Sequence, residues 1–188
     1  MTRKEFSELR LVGGTDLALQ YGHRKSVDID LFGMIDLEKV DTFQLLNEFS
    51  KDVQIISKQK HINIYIVNGV KIDFVNYNYP WLKEPKVIDN IRLATLEDVA
   101  AMKLNAIAGR GSKKDFIDIE LILKEFNLQQ IVDFYKLKYQ QDSEFMALKS
   151  MLYFADADLE VEPEMFSDFD WMNTKQLIKQ QVEDYLKN

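Results

Sequence analysis

The stretch Leu11-Val12-Gly13-Gly14-Thr15-Asp16-Leu17-Ala18-Leu19-Gln20-Tyr21-Gly22-His23-Arg24-Lys25-Ser26-Val27-Asp28-Ile29-Asp30-Leu31-Phe32 decides the architecture. It opens with a short apolar run, Leu9 to Val12, that stops at a Gly-Gly-Thr loop. Leu17, Ala18, Leu19 and Tyr21 then suit one buried helical segment, which Gly22 can close. From Val27 onward apolar and acidic residues alternate, the period of a strand with one face on a core. The reading is strand, tight loop, helix, strand, and the second strand carries the acids.

On a strand, residues two apart share a face, so Asp28 and Asp30 are expected to present carboxylates side by side. Such repulsion is relieved by a shared proton, a cationic side chain or a divalent metal with oxygen ligands. Magnesium is the leading choice, with manganese as a substitute, because nucleotidyl transfer needs a cation on the phosphate oxygens. Asp73, in Val70-Lys71-Ile72-Asp73-Phe74-Val75, could complete a metal-binding triad or accept a hydroxyl proton. An edge-strand acid facing water is the equally weighted alternative. Gly13, Gly14 and Thr15 can turn backbone amides toward phosphate at a helix start, and Arg24 and Ser26 lie where they could reach phosphate or steady the carboxylates.

Outward from this segment, Leu37 to Phe49 has helical spacing and Val53 to Ser57 reads as a strand. His61–Val67 and Val70–Tyr77 flank Asn68-Gly69, the dipeptide of a two-residue type I′ turn, and so predict a hairpin. Tyr79 to Pro85 interrupts regular structure. Thr95 is an expected N-cap, with Asp98 reaching back as in a capping box, for a helix over about 96–108. Further helices are expected from Lys113, with Phe116, Ile119, Ile122 and Leu123 inward, and over 128–139, 143–154 and 174–187. Residues 156–170, acidic and interrupted by Pro163, read as a solvated loop or flap. The fold class is α/β or α+β: a mixed-sheet core over 1–90, then a helical region over 91–188 that completes the active site.

The 188 residues contain no cysteine, which excludes disulfides, thiolate metal sites and cysteine nucleophiles. A formal net charge of -7 argues against a broadly basic nucleic-acid coat. The N-terminus lacks the pattern of a signal peptide and no later run could span a bilayer, so the expectation is a cytoplasmic protein. His23 and His61 are too few and too separated for a metal site. Among the aromatic residues, Trp81 beside Pro80 is the one to test for base stacking.

The motifs Gly13-Gly14-Thr15-x-Leu-x-Leu and His23-Arg24-x-Ser26-x-Asp28-Ile29-Asp30 resemble those of the AbiEii/AbiGii-type nucleotidyltransferase toxins. The resemblance continues through Lys71-Ile72-Asp73-Phe74-Val75, Lys103-Leu104-x-Ala106, Arg110 and Lys114-Asp115-x-x-Asp118-Ile119. It implies a polymerase-β-like nucleotidyltransferase core with a mixed sheet. It also implies transfer of a nucleoside monophosphate from an NTP to an acceptor, such as a tRNA 3′ end, with release of pyrophosphate. A DNA-binding antitoxin would be the partner. On this resemblance Gly13, Gly14 and Thr15 hold triphosphate, Asp28 and Asp30 hold metal, and Asp73 is the hairpin acid. Lys103 and Asp115 are the further essential positions, and Arg24, Ser26, Arg110, Lys114 and Asp118 join the nucleotide-binding set.

Two departures accompany the resemblance. Relatives commonly carry more chain, often helical, than the 12 residues that precede Gly13 here, which points to a truncated or misassigned start. Basic residues are also few beyond 140, which argues against a large RNA-binding surface from the C-terminal half and leaves a small acceptor open. The alternatives are a small-molecule nucleotidyltransferase and an inactive member that binds nucleotide or partner only.

Overall fold

The computed structural model describes residues 1–141 and 143–187. The chain divides into two compact units that interleave along the sequence. One comprises Met1–Asp16, Ser26–Tyr79 and Pro85–Ala94; the other comprises Leu17–Lys25, Pro80–Glu84 and Thr95–Asn188.

The first unit is built on a mixed seven-stranded sheet. Its strands are β1 (Arg10–Val12), β2 (Ile29–Gly33), β3 (Val53–Lys58), β4 (Ile62–Val67), β5 (Val70–Asn76), β6 (Lys86–Ile88) and β7 (Ile91–Leu93), in the order β3-β4-β5-β2-β1-β7-β6. β2 runs parallel to β5 and antiparallel to β1, while β1 runs parallel to β7. The β4–β5 hairpin turns at Asn68 and Gly69, both at positive φ, with Val67 opposite Val70, as the Asn-Gly signal predicts.

A second tight hairpin, β6–β7, turns at Asp89-Asn90, again both at positive φ, across the boundary expected between residues 90 and 91. Its three-residue strands are too short to show a period. Pairing to β1 completes β7, since the Ala94 amide donates to the Leu11 carbonyl at 3.0 Å.

One face of the sheet packs Leu9, Leu11, Leu31, Tyr65, Phe74 and Leu93 into a core with Phe6, Ile35, Leu37 and Leu46. The helix expected over 37–49 shortens to α2 (Thr42–Asn47), because the Asp41 carboxylate accepts from the Gln44 amide and fixes the start there. Phe49 is left exposed, and Leu37 joins the core from a turn. Thr42 Oγ1 bonds the buried Tyr65 hydroxyl at 2.7 Å and accepts from Asn63 at 3.0 Å, so the polar atoms under α2 are satisfied.

α1 (Gly13–Tyr21) starts in the first unit and ends in the second. Leu17 is fully buried, as expected, but Leu19 is 60% exposed and Tyr21 is exposed as well, so the helix buries a narrower stripe than its composition suggests.

The second unit is otherwise helical: α3 (Leu96–Gly109), α4 (Lys113–Ile122), α5 (Leu128–Tyr139), α6 (Phe145–Met151), α7 (Ala155–Asp158) and α8 (Trp171–Lys187). Thr95 caps α3 through the Asp98 amide. The Asp98 carboxylate does not complete a capping box; it accepts from the Thr95 hydroxyl, the Leu82 amide at 2.9 Å and the buried Lys138 ammonium at 2.7 Å. That buried pair holds the 80–84 segment, and the ammonium also sits 4.3 Å from the Trp81 ring centroid.

Residues 156–170 are more ordered than a flap. α7 buries Ala157, Glu160 accepts from the Lys113 amide at 2.9 Å, and Met165 forms a β-bridge with Arg24. Asp170 starts α8 three residues earlier than expected by accepting from the Met172 and Asn173 amides. No described helix is long and apolar enough to cross a membrane.

Candidate active site

In the first unit the acids and the glycine loop converge. Gly13 follows β1 and opens α1 at φ +76°, and a Cβ added there would stand 2.7 Å from Asp30 Oδ2. Only glycine lets the loop backbone approach that carboxylate. Thr15 Oγ1 donates to the Asp28 carbonyl, so in its 2.9 Å contact with Ser26 it is the acceptor. These two hydroxyls tie the start of α1 to the segment entering β2. β2 begins at Ile29, one residue past Asp28, which is exposed ahead of the strand rather than on it.

Asp73 comes to the same place from β5. It is the in-register partner of Asp30 on the neighbouring parallel strand, so the two carboxylates leave the same face, opposite the Leu31–Phe74 core pair. It is buried rather than an edge acid facing water, because β5 lies between β4 and β2. Lys71 donates to Asp73 Oδ2, while Oδ1 is buried with no hydrogen-bond partner. An orphaned buried oxygen beside a second carboxylate fits a hard cation. Among the described residues no three His, Asp or Glu side chains are gathered to hold a metal by themselves. Magnesium typically takes only one or two carboxylates, with phosphate oxygens and water completing its shell, so this donor set suits a cation that arrives with a triphosphate.

The remaining motif residues meet inside the second unit, around two buried aspartates of α4. Asp118 accepts from Arg24 Nε at 2.8 Å and Nη2 at 2.7 Å, from His23 Nε2 at 2.9 Å, and pairs with Lys103 Nζ at 2.6 Å. Asp115 accepts from Lys103 at 3.1 Å, from Arg110 at 2.8 and 3.1 Å, and from Ser112 Oγ at 2.8 Å. Burial alone would raise both carboxyls. For Asp118 the Lys103 charge and the bonds from His23 and Arg24 outweigh it, and for Asp115 the Arg110 bonds and Lys103 do, so both are held below the usual carboxylate range. Burial would likewise lower the Lys103 ammonium, but Asp118 and Asp115 keep it above its usual value.

Asp115 therefore orients Lys103 and Arg110, as the sequence allows, and the Lys103 amine is engaged by two carboxylates rather than held open. Both oxygens of Asp118 are taken up by this network, and Lys114 is exposed. His23, set aside in the sequence, is a member of the network. Its place beside Arg24 in the His-Arg motif was the available signal. Trp81, the aromatic singled out for base stacking, carries the Lys138 ammonium over its ring.

A mixed sheet with this arrangement is the fold of solved nucleotidyltransferases, and a matching family profile makes this chain a nucleotidyltransferase. It belongs to the family described as "Nucleotidyl transferase AbiEii toxin, Type IV TA system", whose profile matches residues 1–187. An uncharacterised protein of Aquifex aeolicus (strain VF5) is 33% identical over 190 residues, covering 97% of this chain and 90% of its own length. Among solved structures, JHP933 from Helicobacter pylori superposes with a TM-score of 0.60 at 21% identity, covering 96% of this chain and 87% of the other. MenT4, a nucleotidyltransferase toxin from Mycobacterium tuberculosis H37Rv, gives 0.61 at 11% identity, covering 98% and 78%.

Proposed function

We propose that the chain moves a nucleoside monophosphate from an NTP to an RNA acceptor, of the kind a tRNA 3′ end presents, as the toxin of a pair restrained by a DNA-binding antitoxin. What carries this reading is the in-register Asp30–Asp73 pair, with its unbonded buried oxygen, beside the Gly13 loop. Asp28, Asp30 and Asp73 would hold magnesium, or manganese in its place. A bound divalent cation supplies charge neutralisation on the phosphate oxygens.

The chain's own part is positional. Gly13 and Gly14 offer amides, and Thr15, fixed by Ser26, sets the helix start against the triphosphate. The acceptor oxygen forms a bond to the α-phosphorus as the bond to pyrophosphate breaks, and Asp73 would take the hydroxyl proton. Lys103 and Asp115 are proposed as essential through the buried network that orders Arg24, Asp118 and Arg110 in their unit. Arg110, 70% exposed, and Lys114 reach solvent in that unit.

A small hydroxyl or amine acceptor is the second reading, favoured by the net charge of -7, which offers no broad basic surface. A solved structure of ANT(2″)-Ia in complex with adenylyl-2″-tobramycin shares the fold, at TM-score 0.52 and 13% identity, covering 72% of this chain and 89% of that one.

The test is label transfer from each α-labelled NTP, with magnesium, to total cellular RNA. We expect labelled RNA from the wild type and none from the folded Asp28→Asn/Asp30→Asn protein. Label carried by the double mutant would remove the assigned site. A folded, NTP-binding wild type that labels no RNA would favour the small acceptor.

A further inference from the structure

Lys71 and Asp73 lie two residues apart on β5, so both side chains leave the same face of the sheet. On that face Asp30 stands in register beside Asp73. A strand spacing of about 4.8 Å puts the two carboxylates abreast, an arrangement that is destabilising unless positive charge stands next to it. Lys71 brings that charge to Asp73 Oδ2.

The contact differs from the protein's structural ion pairs. In Lys138–Asp98 both side chains are fully buried, and in Lys103–Asp115 nearly so. The Lys71 side chain is 39% exposed against 12% for Asp73. Its ammonium rides on a flexible stem and can leave without opening the core, whereas Asp73 is fixed between two strands. Asp73 is also held through one oxygen only, the other being buried and unbonded. A permanent lock would engage both.

We propose that Lys71 is a positioning residue that serves as a cation placeholder: it neutralises the Asp30–Asp73 pair when no divalent cation is bound and yields Asp73 Oδ2 when one is. This rests on the reading that Asp30 and Asp73 hold the cation. The competing ammonium weakens binding of a bare cation and favours one that arrives with a triphosphate, whose anionic oxygens can receive the released lysine. Productive loading is thereby coupled to nucleotide.

The experiment is titration of Mn2+ into the full chain without nucleotide, followed by electron paramagnetic resonance of the free ion. The proteins are the wild type, Lys71→Met, Asp30→Asn and Lys71→Met/Asp73→Asn, with unfolding curves in chelator and in saturating Mn2+. Lys71→Met should bind Mn2+ more tightly by up to about fivefold, the factor a partly exposed ion pair represents. It should be less stable than the wild type in chelator and recover in Mn2+. Adding Asp73→Asn should abolish the gain.

Unchanged or weaker binding by Lys71→Met, with Asp30→Asn still impaired, overturns the placeholder and leaves the cation site standing. Equal binding by wild type and Asp30→Asn, or none by these two and by Lys71→Met, overturns both. Should Lys71→Met fail to fold, the same titration of Lys71→Gln decides.

Discussion

Replacing Asp118 by asparagine should destabilise the second unit more than any loss of a surface charge. The carboxylate is fully buried and takes two bonds from Arg24, one from His23 and one from Lys103. Lys103 would keep Asp115 at 3.1 Å, but Arg24, 2% exposed, would lose its charged partner and keep, among the described residues, one neutral amide oxygen at position 118 and the neighbouring Lys25 carbonyl at 3.2 Å. Removing one partner of a buried pair strands the other charge and costs about 3–5 kcal/mol. For a chain of this size that is a fall in Tm of roughly 6–20 °C.

Both tryptophans, Trp81 and Trp171, lie in the second unit, so urea unfolding followed by their fluorescence reads this unit directly. The pH dependence gives a second check. The Asp118 carboxyl is depressed in the folded state, so on acidification the unfolded chain binds the proton first. The stabilisation is present above about pH 4 and is lost progressively below it. Wild type and Asp118→Asn should therefore converge as the pH falls from 4 toward 2. A loss below about 1 kcal/mol at pH 7, or a gap that does not shrink in acid, would refute the account of the network as tightly coupled burial.

Two other perturbations bear on parts of the fold with different physics. Gly13→Ala must hold a side chain at φ +76° with its Cβ 2.7 Å from Asp30 Oδ2; a stability loss of about 1–3 kcal/mol is expected, with label transfer falling by more than the folded fraction accounts for. Normal transfer would show that the loop does not need its close approach to the carboxylate. Asn127→Ala removes a capping box in which the side chain accepts from the Gln130 amide and Gln130 answers at the Asn127 amide; the expected cost is about 1 kcal/mol in the same fluorescence assay, with transfer unchanged.

The strand bearing Asp30, the Asn68-Gly69 hairpin, the Thr95 cap and helix α5 over 128–139 all follow from rules that act within a few residues. Alternation sets a face, positive φ selects Asn-Gly, and a hydroxyl seeks an orphan amide. Those local rules also put Asp28 on the strand beside Asp30, whereas β2 begins one residue past it. They failed where the local signal was short or shared, as with the three-residue strands β6 and β7 and the helix that Asp41 starts late.

Tertiary structure alone decided which residues meet. Asp73 could have been a solvated edge acid until β5 was placed between β4 and β2, in register with Asp30. His23 and Arg24 find Asp118 across more than ninety residues of sequence, where no local period could announce the contact. Burial drives that choice, because a charge taken from water must find its partner wherever the fold places one.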